Sequence, residues 1–360
     1  MKLLSSLVLL VVGGTPPLWG HLTPGARAVG FTVLNARDSA RRDSSGAARP
    51  IQISVWYPAR APRSARRLVY GDYVALAACE LGGECSAAPY RKFLVDNGVS
   101  PGAVATWMSS PMAAVRDAAH APGSFPLVVI AQGNGNSAHD QAILAEYLAS
   151  HGYIVATTPS QALIPDKSNS GDAVLPKVEA QAVDISLALL AVRMAFAVRG
   201  RAGLIGHSFG ARSALLVASR DPSIGALVSL DGGIGNKLGK EWIDGARGFD
   251  STTFWAPVLH FYEEIDSRII VPDFALLRSL HRAPVTLVRV DSLHHIHFTS
   301  LGMASAVIPK FVAGPPSPSV GEKYEGVARV SLAFLDAALA GRKPVVRSES
   351  RFLGIETIPR

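Results

Sequence analysis

The sequence is poor in cysteine, in aromatic residues and in charge. Only two cysteines occur in 360 residues, Cys79 and Cys85. That number excludes a disulfide-scaffolded small domain, and the Glu-Leu-Gly-Gly-Glu spacer excludes a C-x-x-C redox centre. No histidine cluster adjoins the pair in sequence, so zinc is not expected. In an exported chain the two would close a small surface loop as a disulfide; otherwise they are two free thiols. Aromatic residues make up 7% and charged residues 18%, with a net charge of +7. Arginines crowd the early part (Arg37, Arg41, Arg42, Arg49, Arg60, Arg63, Arg66, Arg67), but aromatics do not interleave with them as a base-stacking platform requires. They read as solvated turns, and no nucleic-acid partner is expected. Beyond the first residues no apolar run is long enough for a transmembrane helix. The start itself has Lys2, an apolar run from Leu3 to Val12, and a Gly/Pro-rich break from Gly13 to Gly20. This reads as a signal peptide over residues 1–20, cut after Gly14, after Gly20 or a few residues on, in a secreted or periplasmic protein. No cysteine lies near enough for a lipoprotein anchor.

What the chain does have is the run Leu204-Ile205-Gly206-His207-Ser208-Phe209-Gly210. A short apolar strand ends in G-x-S-x-G, and a helical pattern rich in small residues follows from Ala211 to Ser219. This is the sequence form of a nucleophile elbow. The turn is so sharp that Ser208 must sit in a strained conformation, with Gly206 and Gly210 where a Cβ would collide across it. The other reading of the motif is an ordinary tight turn between strand and helix.

Around this run the chain reads as one α/β domain over 21–345, with a tail at 346–360 that has no strong pattern. Val29–Leu34 and Ile51–Tyr57 are two strands joined by a polar loop over Asn35–Arg49, the second stopped by Pro58. Residues 70–120 read as a helical excursion without strands, including Met112–Ala119, which either covers the sheet or caps a cleft. A regular alternation then begins: strands Phe125–Ile130, Tyr153–Thr157, Ala202–Ile205, Ala226–Leu230, Val258–Tyr262 and Val285–Val290. Helices are expected near Asp140–Ser150, Glu179–Ala197, Asp273–Leu280 and Glu322–Leu339. Continuous apolar strands alternating with helices predict a doubly wound, mostly parallel sheet with a helical insertion, the α/β-hydrolase class.

A serine needs a base, and the base needs an acid to set its tautomer. In a sheet of this kind both follow later strands, in the order nucleophile, acid, histidine. Asp231 ends the strand after the nucleophile's, and its Gly232-Gly233 neighbours leave room for a ring to approach. Asp266 lies one strand further on, the commoner location in this fold. His294, His295 and His297 all follow the last confident strand. Local sequence leaves both choices open.

At these residues the chain resembles the platelet-activating-factor acetylhydrolases and related dienelactone-hydrolase-like bacterial esterases. The resemblance is carried by Gly206-His207-Ser208-Phe209-Gly210, Ser229-Leu230-Asp231-Gly232 and His295-Ile296-His297-Phe298. It extends to Val55-Trp56-Tyr57-Pro58, Pro126–Gly135 and Leu148–Val155, and is weakest over 60–120. It implies Asp231 as acid and, through H-x-x-F, His295 as base, with Asp266, His294 and His297 as the alternatives. Where the family reads His-Gly this chain has Gln132-Gly133. The oxyanion donors would be the backbone N–H groups of Phe209 and Asn134, with Gln132 and Gly133 supporting the loop. The serine argues against true dienelactone hydrolase activity, which uses cysteine. The implied function is a serine esterase acting through an acyl-enzyme on short-acyl esters or phospholipids of the platelet-activating-factor type. The alternatives are a polyester or cutinase-like hydrolase using Asp266, an amidase or peptidase, or a non-catalytic binding protein. No metal or organic cofactor is expected; the partner is a small-molecule, lipid or polymer ester, and the chain is taken as a monomer.

Overall fold

The structure, a computed structural model, describes residues 15–42, 45–62, 64–80, 84–159, 171–265, 271–308, 317–347 and 351–358. The chain opens with a long hairpin, β1 (Ala28–Arg42) and β2 (Ala48–Arg60), then β3 (Arg67–Val69) and three helices, α1 (Tyr70–Ala78), α2 (Ala88–Asp96) and α3 (Pro101–Met108). Strands β4 (Pro111–Arg116) and β5 (Ala119–His120) return to the sheet. The alternating part runs β6 (Leu127–Ala131), α4 (Ala142–Ser150), β7 (Ile154–Thr158), α5 (Gly171–Ala195), β8 (Ala202–His207), α6 (Gly210–Arg220) and β9 (Ile224–Leu230). It continues through β10 (Val258–Tyr262), α7 (Ala275–Arg278), β11 (Val285–Val290), α8 (Val320–Leu339) and β12 (Leu353–Thr357).

The strands form one sheet in the order β12-β11-β10-β9-β8-β6-β7-β2-β1-β4-β3, with β5 beside β2. From β7 to β11 every pairing is parallel; β2 against β1 and β7, and β12 against β11, are antiparallel. Helices cover both faces, which is why the central strands are buried without a break. In β6, Val128 and Ile130 join the core under α4 and α8, whereas Leu127, Val129 and Ala131 join the one under α5 and α6. This is the α/β-hydrolase fold, a mixed and mostly parallel sheet with helical insertions.

Four local readings of the sequence are corrected. The polar stretch from Asn35 is not a loop: β1 and β2 pair on through Asn35↔Gln52, Arg37↔Pro50 and Asp38↔Arg49. Two of its arginines end on fully buried Asp184 of α5, which accepts from Arg49 at 2.8 and 3.2 Å and pairs with Arg41. Pro58 does not stop β2; it pairs with Val29, and its carbonyl accepts the Ala121 N–H. The expected helix over Met112–Ala119 is strand β4, parallel to β1, with Met112 and Ala114 buried and alternation setting the period. The tail beyond 345 contains β12, which covers the edge of β11 from Thr286↔Thr357 to Val290↔Leu353.

The start of the described chain also joins the core. Leu18, Trp19 and Leu22 are essentially inaccessible. The Trp19 indole N–H donates to Glu146 Oε2 at 3.2 Å, the His21 N–H to Glu325 Oε1, and the Gly25 N–H to Ser150 Oγ. Cleavage after Gly20 would discard the indole and leave buried Glu146 with one donor fewer. Trp19→Ala should lower unfolding free energy by about 3–5 kcal/mol in urea, the cost of emptying a tryptophan site. A loss below about 1 kcal/mol would show that this segment adds nothing to the fold.

Candidate active site

Ser208 follows β8 at φ +52°, in the left-handed region, and α6 starts two residues later. The strain is held from several sides. An added Cβ on Gly206 would lie 2.3 Å from Ala211 Cα, across the turn as expected. At Gly210 the obstacle is instead the neighbouring strand, with Ala131 O at 2.2 Å. The Ser208 N–H donates to Leu230 O at 3.2 Å, and the Gly233 N–H to Ser208 O at 2.8 Å. These bonds fasten the elbow to the turn after β9.

That turn carries Asp231, also left-handed at φ +43° and fully buried, its N–H bonded to Phe261 O. The glycines after it do not make room for a ring. An added Cβ on Gly232 would meet Ala211 Cβ at 2.3 Å, and one on Gly233 the Arg212 guanidinium at 2.2 Å. They let the turn lie flat on α6. Arg212 is buried, donates to Asn236 Oδ1 and lies 4.6 Å from the Trp242 ring centre. Burial pulls its pKa down to about 10, leaving it charged at neutral pH.

Of the three histidines, the structure puts His295 beside the serine, on a 3-10 turn after β11. Ser208 O–H donates to His295 Nε2 at 2.9 Å, and His295 Nδ1–H donates to Asp231 Oδ2 at 2.5 Å. His297 is buried and accepts the His294 N–H; the two rings meet edge to face at 5.5 Å. Asp266 lies outside the described residues. Of the two described carboxyl groups just after β10, Glu263 is buried and accepts the Ile265 N–H, whereas Glu264 is exposed and lies 3.8 Å from Arg289.

Gln132 and Gly133 follow β6 alongside the elbow. The Gln132 side-chain NH₂ donates to Thr157 Oγ1 of β7, and the Gln132 backbone carbonyl accepts from the Gln181 amide of α5, whose own oxygen accepts from Ser213 of α6. Gly133 passes so close that an added Cβ would be 3.2 Å from Ser208 Cβ and 2.7 Å from His207 Nδ1. Phe209 opens the first turn of α6, and Asn134 is exposed beyond Gly133.

The sequence reading passed over His207. Its ring stacks on His295 with centres 4.9 Å apart, and its Nε2–H reaches the His295 carbonyl at 3.4 Å. Burial first, and the neighbouring His295 second, depress its pKa to about 3. The only signal was its place between Gly206 and Ser208. Because the folded value lies below the ordinary 6.5, the unfolded chain takes up this proton first, and stability is lost as pH falls from about 6.5 to 3. Glu80, raised to about 8, acts in the opposite sense, so the histidine must be isolated by difference. His207→Gln, which keeps a donor, should reduce the slope of stability against pH in that window by about 1.4 kcal/mol per unit. Parallel slopes in urea unfolding at pH 4 to 7 would contradict a buried neutral His207.

No family model matches the chain, and no curated protein matches it. Among solved structures it is similar to a ferulic acid esterase from Streptomyces cinnamoneus, with a TM-score of 0.66 and 22% identity. The likeness covers 92% of this chain and 98% of that one, so the two share the fold over nearly their whole lengths. This corrects the resemblance to platelet-activating-factor acetylhydrolases and dienelactone-hydrolase-like esterases. The short motifs behind it record a sharp elbow, a strand-end acid and a histidine turn. Elbow geometry demands these of many sequences, so they report the fold and not the branch. The Cys79–Cys85 disulfide is present, closing the segment between α1 and α2. Among the described residues no helix is long and apolar enough to cross a membrane.

Proposed function

We propose that the chain is a serine carboxylic-ester hydrolase. The observation that carries this is the continuous hydrogen-bonded chain from Ser208 Oγ through both nitrogens of His295 to buried Asp231. Ser208 attacks the ester carbonyl as His295 Nε2 takes its proton, while Asp231 holds the ring in the required tautomer and steadies the imidazolium. The N–H groups of Phe209 and Asn134 receive the oxyanion. His295 returns the proton to the departing alkoxide, and water cleaves the acyl-enzyme by the same route in reverse. The neutral His207 against His295 adds no charge to oppose that imidazolium.

For the substrate, the likeness to a ferulic acid esterase puts aromatic-acid esters first among those to try, beside short aliphatic acyl esters. Export fits the apolar start and the disulfide, with the leader cut before the segment that carries Trp19. The test is a panel of p-nitrophenyl acetate, butyrate and octanoate with methyl ferulate, and an anilide as control. Ester turnover without anilide turnover supports the reading. Absence of all turnover, together with no fluorophosphonate labelling of Ser208, would end it.

A further inference from the structure

The turn that presents Asn134 is fastened from outside the central sheet. The Asn136 N–H closes the turn onto Gly133 O at 3.1 Å, with Gly135 at φ +73°. The next two backbone N–H groups both end on carboxyl oxygens: Ser137 on Asp140 Oδ2 and Ala138 on Glu80 Oε1, each at 2.9 Å. Asp140 is local, three residues on. Glu80 comes from the helical excursion 58 residues earlier, is 6% exposed, and directly follows Cys79. The Cys79–Cys85 disulfide closes the chain around it.

We propose that Glu80 is a positioning residue for ester hydrolysis: it holds the Asn134 turn in its oxyanion-binding place, and the Cys79–Cys85 disulfide holds Glu80. This rests on the reading of Asn134 as an oxyanion donor. A donor serves only if it stands within a few tenths of an ångström of where the charge develops, and an exposed loop does not supply that precision alone. Here the far end of the loop is bonded to a buried carboxyl group on a covalently closed segment. The remaining end is set by Gln132 on Thr157. The excursion is thereby joined to the chemistry and is more than a cover for the sheet.

The environment of Glu80 fits the role. Burial, with the neighbouring Asp140 charge adding to it, pushes its pKa up to about 8 against the Ala138 N–H, which lowers it. Titratable groups on the same turn are Asp140 and His139, with Tyr70 of α1 bonded to His139 Nδ1 and Tyr90 of α2 packed on the His139 ring. The carboxyl group accepts from Ala138 as the neutral acid, and ionisation places a second negative charge next to Asp140.

The experiment compares Glu80→Ala, Glu80→Gln, the Cys79→Ser/Cys85→Ser pair, and the pair combined with Glu80→Ala, on the best p-nitrophenyl ester. Glu80→Ala should lower kcat about 10- to 100-fold with KM changed less than about 3-fold, the mark of a misplaced transition-state contact. Glu80→Gln, which mimics the neutral acid, should recover most of that loss at pH 7 and lack the fall in kcat near pH 8 expected of the wild type. Removing the disulfide should cost about 10-fold in kcat alone, and less than about 2-fold more in the Glu80→Ala background. Full kcat in Glu80→Ala, equal damage to kcat and KM in the Ala and Gln variants, or fully additive losses would each overturn the proposal. If the wild type turns over esters and Ser208→Ala does not, such a result removes only the Glu80 role. If the wild type turns over no ester and takes no fluorophosphonate label, the esterase reading fails and this falls with it.

Discussion

Ser208→Ala is expected to lower kcat on the best ester by at least about 10⁴-fold while the protein still folds. The size follows from the loss of the covalent route. Without Oγ no acyl-enzyme forms, and only water guided by His295 and the oxyanion N–H groups remains. Folding should survive because the backbone strain at φ +52° is imposed by the neighbours and not by the hydroxyl. The Ser208 N–H and carbonyl keep their bonds to Leu230 and Gly233, and Gly206 and Gly210 still let the turn close. Alanine tolerates the left-handed region about as poorly as serine, so stability should shift by less than about 1 kcal/mol. Turnover within 100-fold of wild type, or fluorophosphonate attached to another residue, would remove Ser208 from the nucleophile's role.

Asp231→Asn should cost roughly 10⁴ in kcat, with KM little changed. An amide at this position offers His295 Nδ1 either an oxygen or an NH₂ group. In the second orientation the ring is held with its proton on Nε2, facing Ser208 and unable to accept. Even in the first, the imidazolium formed during attack loses the carboxylate that stabilises it at 2.5 Å. Asp266→Asn, by contrast, should lose less than about 10-fold. Both variants should be assayed from pH 6 to 9 on the same ester. A collapse in Asp266→Asn with near-normal Asp231→Asn would move the acid to the end of β10, where Glu263 is already buried.

Much of this architecture is legible in the sequence because it depends on neighbours along the chain. Runs such as Val258–Tyr262 and Val285–Val290 coincide with β10 and β11 residue for residue; β10 is buried throughout, and β11 turns only Thr286 and Arg289 outward, so the apolar residues still mark both ends. The elbow is equally local: a strand, two glycines at fixed spacing and a helix are enough to place Ser208. The excursion is not legible where the partner lies far away in sequence. Nothing near Met112–Arg116 announces that it will pair with Val29–Phe31, or that Glu146 will take the N–H groups of Ala113 and Ala114. Strand β12 was hidden for the same reason, its pattern completed only by the edge of β11.

The site divides along the same line. The sequence by itself determined that a serine stands on a strained turn and that an acid and a histidine follow later strands, because chain order and strand ends restrict the choices. Only the tertiary structure decided which imidazole stands at 2.9 Å from Ser208 and which carboxylate meets its other nitrogen. Three histidines within four residues differ chiefly in the direction a 3-10 turn gives them. That direction comes from packing, such as the Gln141 amide on Phe298 O, between segments more than 150 residues apart. The same holds for His207 against the His295 backbone and for Glu80 beneath the Asn134 turn. Their roles are set by burial and by partners distant in the chain, and a one-dimensional pattern carries neither.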